Sequence, residues 1–112
     1  MEIITEKISK EELRKIADED YGFYVKAVVD IENEIIAVGG EMHSDEESLL
    51  LDNGSKQKDL WGINIYVDKP VEERVEFDSV INIRPSSGNM SRSVEDSAIR
   101  SRITEIVNIL IE

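Results

Sequence analysis

The stretch from Val25 to Val38 constrains the fold most tightly. Val25, Ala27, Val29 and Ile31 alternate with Lys26, Val28, Asp30 and Glu32. Alternation with period two sends successive side chains to opposite faces, which is strand geometry. Glu32-Asn33-Glu34 reads as a tight turn, and Ile35-Ile36-Ala37-Val38 as the returning strand, closed by Gly39-Gly40. Two such runs around a short polar turn form a hairpin, so the chain must contain an antiparallel sheet. Val28, Ile36 and Val38 give both hairpin faces apolar character, which calls for cover on both sides.

Two further strands are expected. In Trp61–Val67, the residues Trp61, Ile63, Ile65 and Val67 share one face, with Asn64 and Tyr66 on the other. A fourth strand is expected over Val75–Arg84, with Val75, Phe77, Ser79, Ile81 and Ile83 opposite Glu76, Asp78, Val80, Asn82 and Arg84. Each run holds an Asn between two Ile residues, Ile63-Asn64-Ile65 and Ile81-Asn82-Ile83. An amide inside a strand is disfavoured unless a hydrogen bond rewards it. The reward is either structural, to a neighbouring strand or loop, or functional, in a pocket that both amides line.

Three helices complete the reading. Ser9 with Glu12 three residues on is a capping box, and Leu13, Ile16 and Ala17 supply a narrow stripe before the break at Gly22. A second helix is expected to start at Ser44, with Leu49, Leu50 and Leu51 for packing and Asn53-Gly54 as the stop. The third is capped by Ser93, and Ala98, Ile99, Arg102, Ile103, Ile106, Val107 and Leu110 recur at three and four. The fold class is therefore α+β, a four-stranded, mainly antiparallel sheet packed against helices. The 112 residues are expected to make one domain, large enough to bury roughly two-thirds of the extended chain's surface.

Composition narrows the partners. Twenty-five acidic and 13 basic residues give a net charge of -12, a field that repels nucleic acid and anionic membranes. With no cysteine, disulfides and thiolate metal sites are excluded. The N-terminus lacks a basic segment followed by an apolar run, and no stretch approaches the ~18 apolar residues of a membrane helix. A cytoplasmic location is the resulting expectation.

Three segments could carry chemistry. His43, the only histidine, lies in Gly39-Gly40-Glu41-Met42-His43-Ser44-Asp45-Glu46-Glu47. Near-neutral titration suits imidazole to general-base or ligand-contact work, but the position also suits a structural hydrogen bond beside a helix cap. Asp45 and Glu47 are the candidate metal ligands. Hard oxygen donors would take Mg²⁺, although no calcium-loop or zinc spacing is present and no cofactor is required. Arg84-Pro85-Ser86-Ser87-Gly88-Asn89-Met90-Ser91-Arg92 is the candidate anion loop, because guanidinium forks suit phosphate and carboxylate and Gly88 admits close approach of backbone amides. Arg84 could equally lock the fold by pairing with a carboxylate. The serines lack a neighbouring base, and no nucleophile elbow surrounds them.

Val25-Lys26-Ala27-Val28-Val29-Asp30, Gly39-Gly40-Glu41-Met42-His43, Gly54-Ser55 through Leu60-Trp61-Gly62-Ile63-Asn64, and Ile81-Asn82-Ile83-Arg84-Pro85 resemble a family of small bacterial and archaeal proteins known as a domain of unknown function. The resemblance implies one compact unit over nearly the whole chain. It implies no activity, cofactor or catalytic residue.

The leading functional expectation is a small binding module whose patch comprises His43, Asn64, Asn82, Arg84, Ser86, Asn89 and Arg92, contacting a small anion or a polar protein surface. One alternative is a metal-assisted hydrolase with His43 as base and Asp45 and Glu47 as ligands. Another is an acidic interaction subunit that meets a basic partner or forms a homodimer through an edge strand.

Overall fold

A computed structural model describes residues 1–112. The elements run β1 (Glu2–Ile4), α1 (Lys10–Asp18), β2 (Tyr24–Asp30), β3 (Ile35–Val38), α2 (His43–Asp52), β4 (Leu60–Tyr66), β5 (Val75–Glu76) and α3 (Ser97–Leu110), with short 3₁₀ turns at Gln57–Asp59, Val80–Asn82 and Pro85–Ser87. The strands form one sheet in the order β1-β3-β2-β4-β5, antiparallel at every pairing. The sheet thus has five strands rather than the expected four. The additional strand, β1, pairs Glu2–Ile4 with Val38–Ile36. Three residues are too short a run to carry a period.

Sequence alternation becomes two cores. The odd-numbered residues of β2 and β4, among them Val25, Ala27, Val29, Trp61, Ile63 and Ile65, join Leu13 and Ala17 of α1 and Ile103, Ile106, Val107 and Leu110 of α3 in the larger cluster. On the opposite face Val28, Ala37, Leu50 and Leu60 form a smaller one under α2. The expected cover on both sides of the hairpin is present. No helix is long and apolar enough to cross a membrane.

Local chemistry fixes the element ends. The Ser9 hydroxyl accepts from the Glu12 amide at 3.1 Å, and Gly22, at φ 85°, donates to the Ala17 carbonyl at 2.7 Å to close α1. The hairpin turn is held by Asp30. Its carboxylate accepts from the amides of Glu32 and Asn33, from the Asn33 side chain and from the Ser55 hydroxyl at 2.6 Å. Arg74 is 5 % exposed and ties β5 to the end of α3, donating to the carbonyls of Glu112 and Ile111 and to the Asn108 side chain.

The expected strand over Val75–Arg84 stops after Glu76. Ser79 packs onto Gly62, where a Cβ would lie 2.5 Å from the Ser79 Cβ. The chain then turns through Val80–Asn82, with the Ser79 hydroxyl accepting from the Ile81 amide. The Asn82 side chain fills the vacated ladder position. Its Oδ1 accepts from the Gly62 amide at 2.8 Å and its Nδ2 donates to the Gly62 carbonyl at 2.9 Å. A carboxamide has the same donor–acceptor pair as a peptide group, so one side chain substitutes for a strand.

Candidate functional site

The β2–β4–β5 register sets Lys26 beside Asn64 and Asn64 beside Glu76, giving one row across three strands on the α2 face. The neighbouring row pairs Tyr24 with Tyr66. α2 begins immediately above. The Asp45 carboxylate accepts from the Met42 amide at 3.2 Å, so the helix starts at His43, one residue before the expected Ser44. That start aims the imidazole down at the sheet, where Nε2 meets the Ile63 carbonyl oxygen at 2.7 Å. A carbonyl only accepts, so Nε2 carries the proton.

Between these rows, the start of α2 and the segment Asp78–Ile81 lies a cleft of about 550 Å³. Its floor and walls include Lys26, His43, Ser44, Asn64, Glu76 and Arg92, and its rim includes Phe23, Met42 and Val80. Those three rim residues are 57 %, 59 % and 62 % exposed, an apolar concentration at a polar cleft. The tyrosines form a stack, Tyr21 on Tyr24 at 4.8 Å and Tyr24 on Tyr66 at 5.5 Å. Lys26 and Lys69 lie over the two end rings. The ring faces are therefore occupied by one another and by cations, and the electropositive ring edges remain for the cleft.

Charges in the cleft divide into a closed pair and two open groups. Arg92 Nε donates to Asp78 Oδ1 at 2.6 Å. Glu76 accepts from Asn64 Nδ2 at 2.8 Å and from the Tyr66 hydroxyl at 3.2 Å, both neutral donors. Burial and this carboxylate hold the Tyr66 hydroxyl above the usual phenol range. No ion pair involves Lys26. Burial, with a smaller push from the Lys26 charge, lowers the His43 pKa below 6.5, against the opposing effects of the Ile63 carbonyl, the Asn64 side chain and Asp78. The ring is thus neutral at physiological pH. Asn64 Oδ1 is buried without a partner beneath this arrangement.

Of the residues expected to form a patch, His43, Asn64 and Arg92 meet at the cleft, and the other four do not line it. Asn82 is fully buried and bound to Gly62 and to the Arg92 carbonyl. Arg84 donates through Nη2 to the carbonyls of Leu60 and Ile81 and stacks on Trp61 at 4.7 Å. Asn89 is buried, donating to the carbonyls of Asn82, Ser91 and Ser93 and accepting from the Glu95 amide. Ser86 is exposed in the Pro85–Ser87 turn. The Arg84–Arg92 loop is a hydrogen-bonded brace for the cleft wall. Asp45 caps α2, Glu47 is half-buried with Oε2 unpartnered, and no three His, Cys, Asp or Glu side chains gather as a metal-binding group.

Lys26, Tyr24 and Glu76 entered no expected site. Parity put Lys26 on the hairpin face opposite Val25 and Ala27, and Asn64 and Tyr66 on the face opposite Ile63 and Ile65. The register that unites them is a long-range property of β2 and β4.

Fold and site define an antiparallel α+β protein with one polar, apolar-rimmed cleft beside its second helix. The chain matches the family described as protein of unknown function DUF5674 over residues 2–110 and belongs to it. No curated protein and no solved structure matches it.

Proposed function

We propose that this protein is a small-molecule binding module and that the cleft under the start of α2 is its site. The carrying observation is convergence. Lys26, His43, Asn64, Glu76 and Arg92 come from five separate stretches of chain and share one cleft of about 550 Å³. That volume lies in the range of roughly 300–1,000 Å³ typical of small-ligand pockets, which combine apolar lining with a few polar groups that fix orientation. Phe23, Met42 and Val80 supply the apolar part. Binding is favoured over catalysis because the imidazole bonds to a main-chain carbonyl rather than to a hydroxyl it could activate. Asp45 is engaged in capping, which leaves the metal-assisted reading without an assembled ligand set.

The arrangement of charges in the cleft favours a ligand with a polar head and an apolar body over a simple inorganic anion. Arg84, Ser86 and Asn89 lie elsewhere, and Arg92 is already paired with Asp78. A second reading, docking of a basic protein segment, draws on the net charge of -12 and the exposed rim.

An amide NMR titration with a library of small organic acids, amines and zwitterions tests the proposal. Hits should move the signals of Lys26, His43, Asn64 and Glu76, and Val80→Trp, which narrows the rim, should weaken them. A library that moves no cleft amide, or only amides elsewhere, would overturn it.

A further inference from the structure

Resting on the reading of the cleft as a ligand site, we infer that its ligand is a zwitterion with an apolar side chain, such as an α-amino acid, held between Lys26 and Glu76. The two residues stand on the outer strands of the row Lys26–Asn64–Glu76, with their Cα atoms about two strand spacings, roughly 10 Å, apart. Each lacks a partner of opposite charge, the Lys26 ammonium lying over the face of the Tyr21 ring. Lys26 makes no ion pair, and Glu76 is bonded only to the neutral Asn64 and Tyr66. The remaining charged pair of the cleft, Arg92 with Asp78, is closed on itself.

The surroundings select against single charges. Glu19, Asp20 and Glu41 line an adjoining groove that Lys26 shares, so a plain anion meets a negative field as it approaches the one cation of the cleft without an ion pair. A plain cation reaching Glu76 shares the cleft with Lys26 and gains no partner for it. A zwitterion satisfies both ends, its carboxylate toward Lys26 and its ammonium toward Glu76, and adds no net charge to a chain at -12. The exposed Phe23, Met42 and Val80 then cover its side chain, which singles out large apolar side chains over small or polar ones.

Three probes with one ring separate the charges: L-phenylalanine, 3-phenylpropionate and phenethylamine, each titrated into the ¹⁵N-labelled protein. Phenylalanine should bind about fivefold more tightly than either singly charged analogue, the scale of one exposed ion pair. Glu76→Gln should weaken phenylalanine and leave phenylpropionate unchanged. Lys26→Met should weaken phenylalanine and leave phenethylamine unchanged. Both positions lie on the cleft surface, and dispersed amide spectra of the variants verify their fold. Equal binding of phenylalanine and phenylpropionate, with no effect of Glu76→Gln, overturns the zwitterion while the cleft remains a ligand site. Equal binding of all three does the same, reducing recognition to the apolar rim. If none of the three moves a cleft amide, the zwitterion assignment falls. If the wider library also fails, the cleft reading falls with it.

Discussion

Glu46 is fully buried on the inner side of α2, one oxygen accepting from the Gly40 amide at 3.2 Å and the other without a partner. Gly40 must be glycine here, since a Cβ would stand 2.9 Å from the Glu46 Cγ. Burial pushes the Glu46 carboxyl up to about 9 from an ordinary 4.5. The unfolded chain therefore loses this proton near 4.5 and the folded chain near 9, so unfolding releases a proton throughout that window. Stability contributed by the protonated form is complete below the unfolded value and declines as pH rises, by up to about 1.4 kcal/mol per unit. Glu46→Gln keeps the amide-accepting oxygen and removes the titration. The variant should gain about 2–4 kcal/mol on the parent between pH 5 and pH 8, an upper range from three pH units of that slope. Urea unfolding at the two pH values measures it, and an equal difference at both would refute a protonated Glu46. His43 has the opposite linkage. Its folded pKa lies below 6.5, so stability falls as pH drops below that value and the unfolded chain takes up a proton the native imidazole refuses. Imidazole C–H NMR should give a midpoint under 6.5, and Lys26→Met should raise it by removing a nearby positive charge. A midpoint unmoved by that substitution would place the ammonium too far away to matter.

Among the elements, β4 and the segment that follows β5 form a lock of close fit. Gly62 has no room for a methyl group, because Ser79 lies against it, and Asn82 completes its hydrogen bonds. Gly62→Ala should destabilise the fold by about 1–3 kcal/mol through overpacking, and Ser79→Gly in the same chain should restore much of the loss. Thermal unfolding of the two single variants and the double variant gives the coupling directly. Independent, additive losses would separate the two positions. This lock also explains where sequence pattern misleads. Val75, Phe77, Ser79, Ile81 and Ile83 alternate as a strand does, yet Val75 pairs in β5, Ser79 packs on Gly62 and Ile81 sits in a 3₁₀ turn under α2. Alternation encodes which side chains are apolar, and here it is met by a chain that leaves the ladder. The hairpin β2–β3 and helix α3 were legible because their periods run over enough residues, seven and four in the strands and 14 in the helix, for one face to be identified. His43, Asn64 and Arg92 were legible as polar groups out of place. Asn82, Arg84 and Asn89 gave the same signal for another reason, since buried irregular backbone requires side-chain partners as strictly as a ligand does. The difference lies in what stands opposite each amide, and that depends on packing between distant segments.

Across the whole molecule, acidity is only lightly compensated. The structure has five ion-pair contacts, and they engage five of the 25 acidic side chains. Arg102 takes part in two of them, with Glu34 and Glu105, and thereby links α3 to the β2–β3 turn. All but Asp59 of the carboxylates in these pairs have well-exposed side chains, so each pair is worth at most about 1 kcal/mol. Against them stands mutual repulsion among the remaining carboxylates, which acts at longer range and is therefore screened more completely by salt. Repulsion should dominate in a chain of 112 residues carrying a net charge of -12. Raising NaCl from 20 mM to about 0.5 M shortens the screening length from roughly 20 Å to about 4 Å, and should raise Tm, by about 4 °C for each kcal/mol of repulsion removed. Calorimetry at fixed pH 7 measures this shift. A fall in Tm with salt would mean that the attractive pairs outweigh the general field, and would move the stability of this fold from its two apolar cores toward its surface charges.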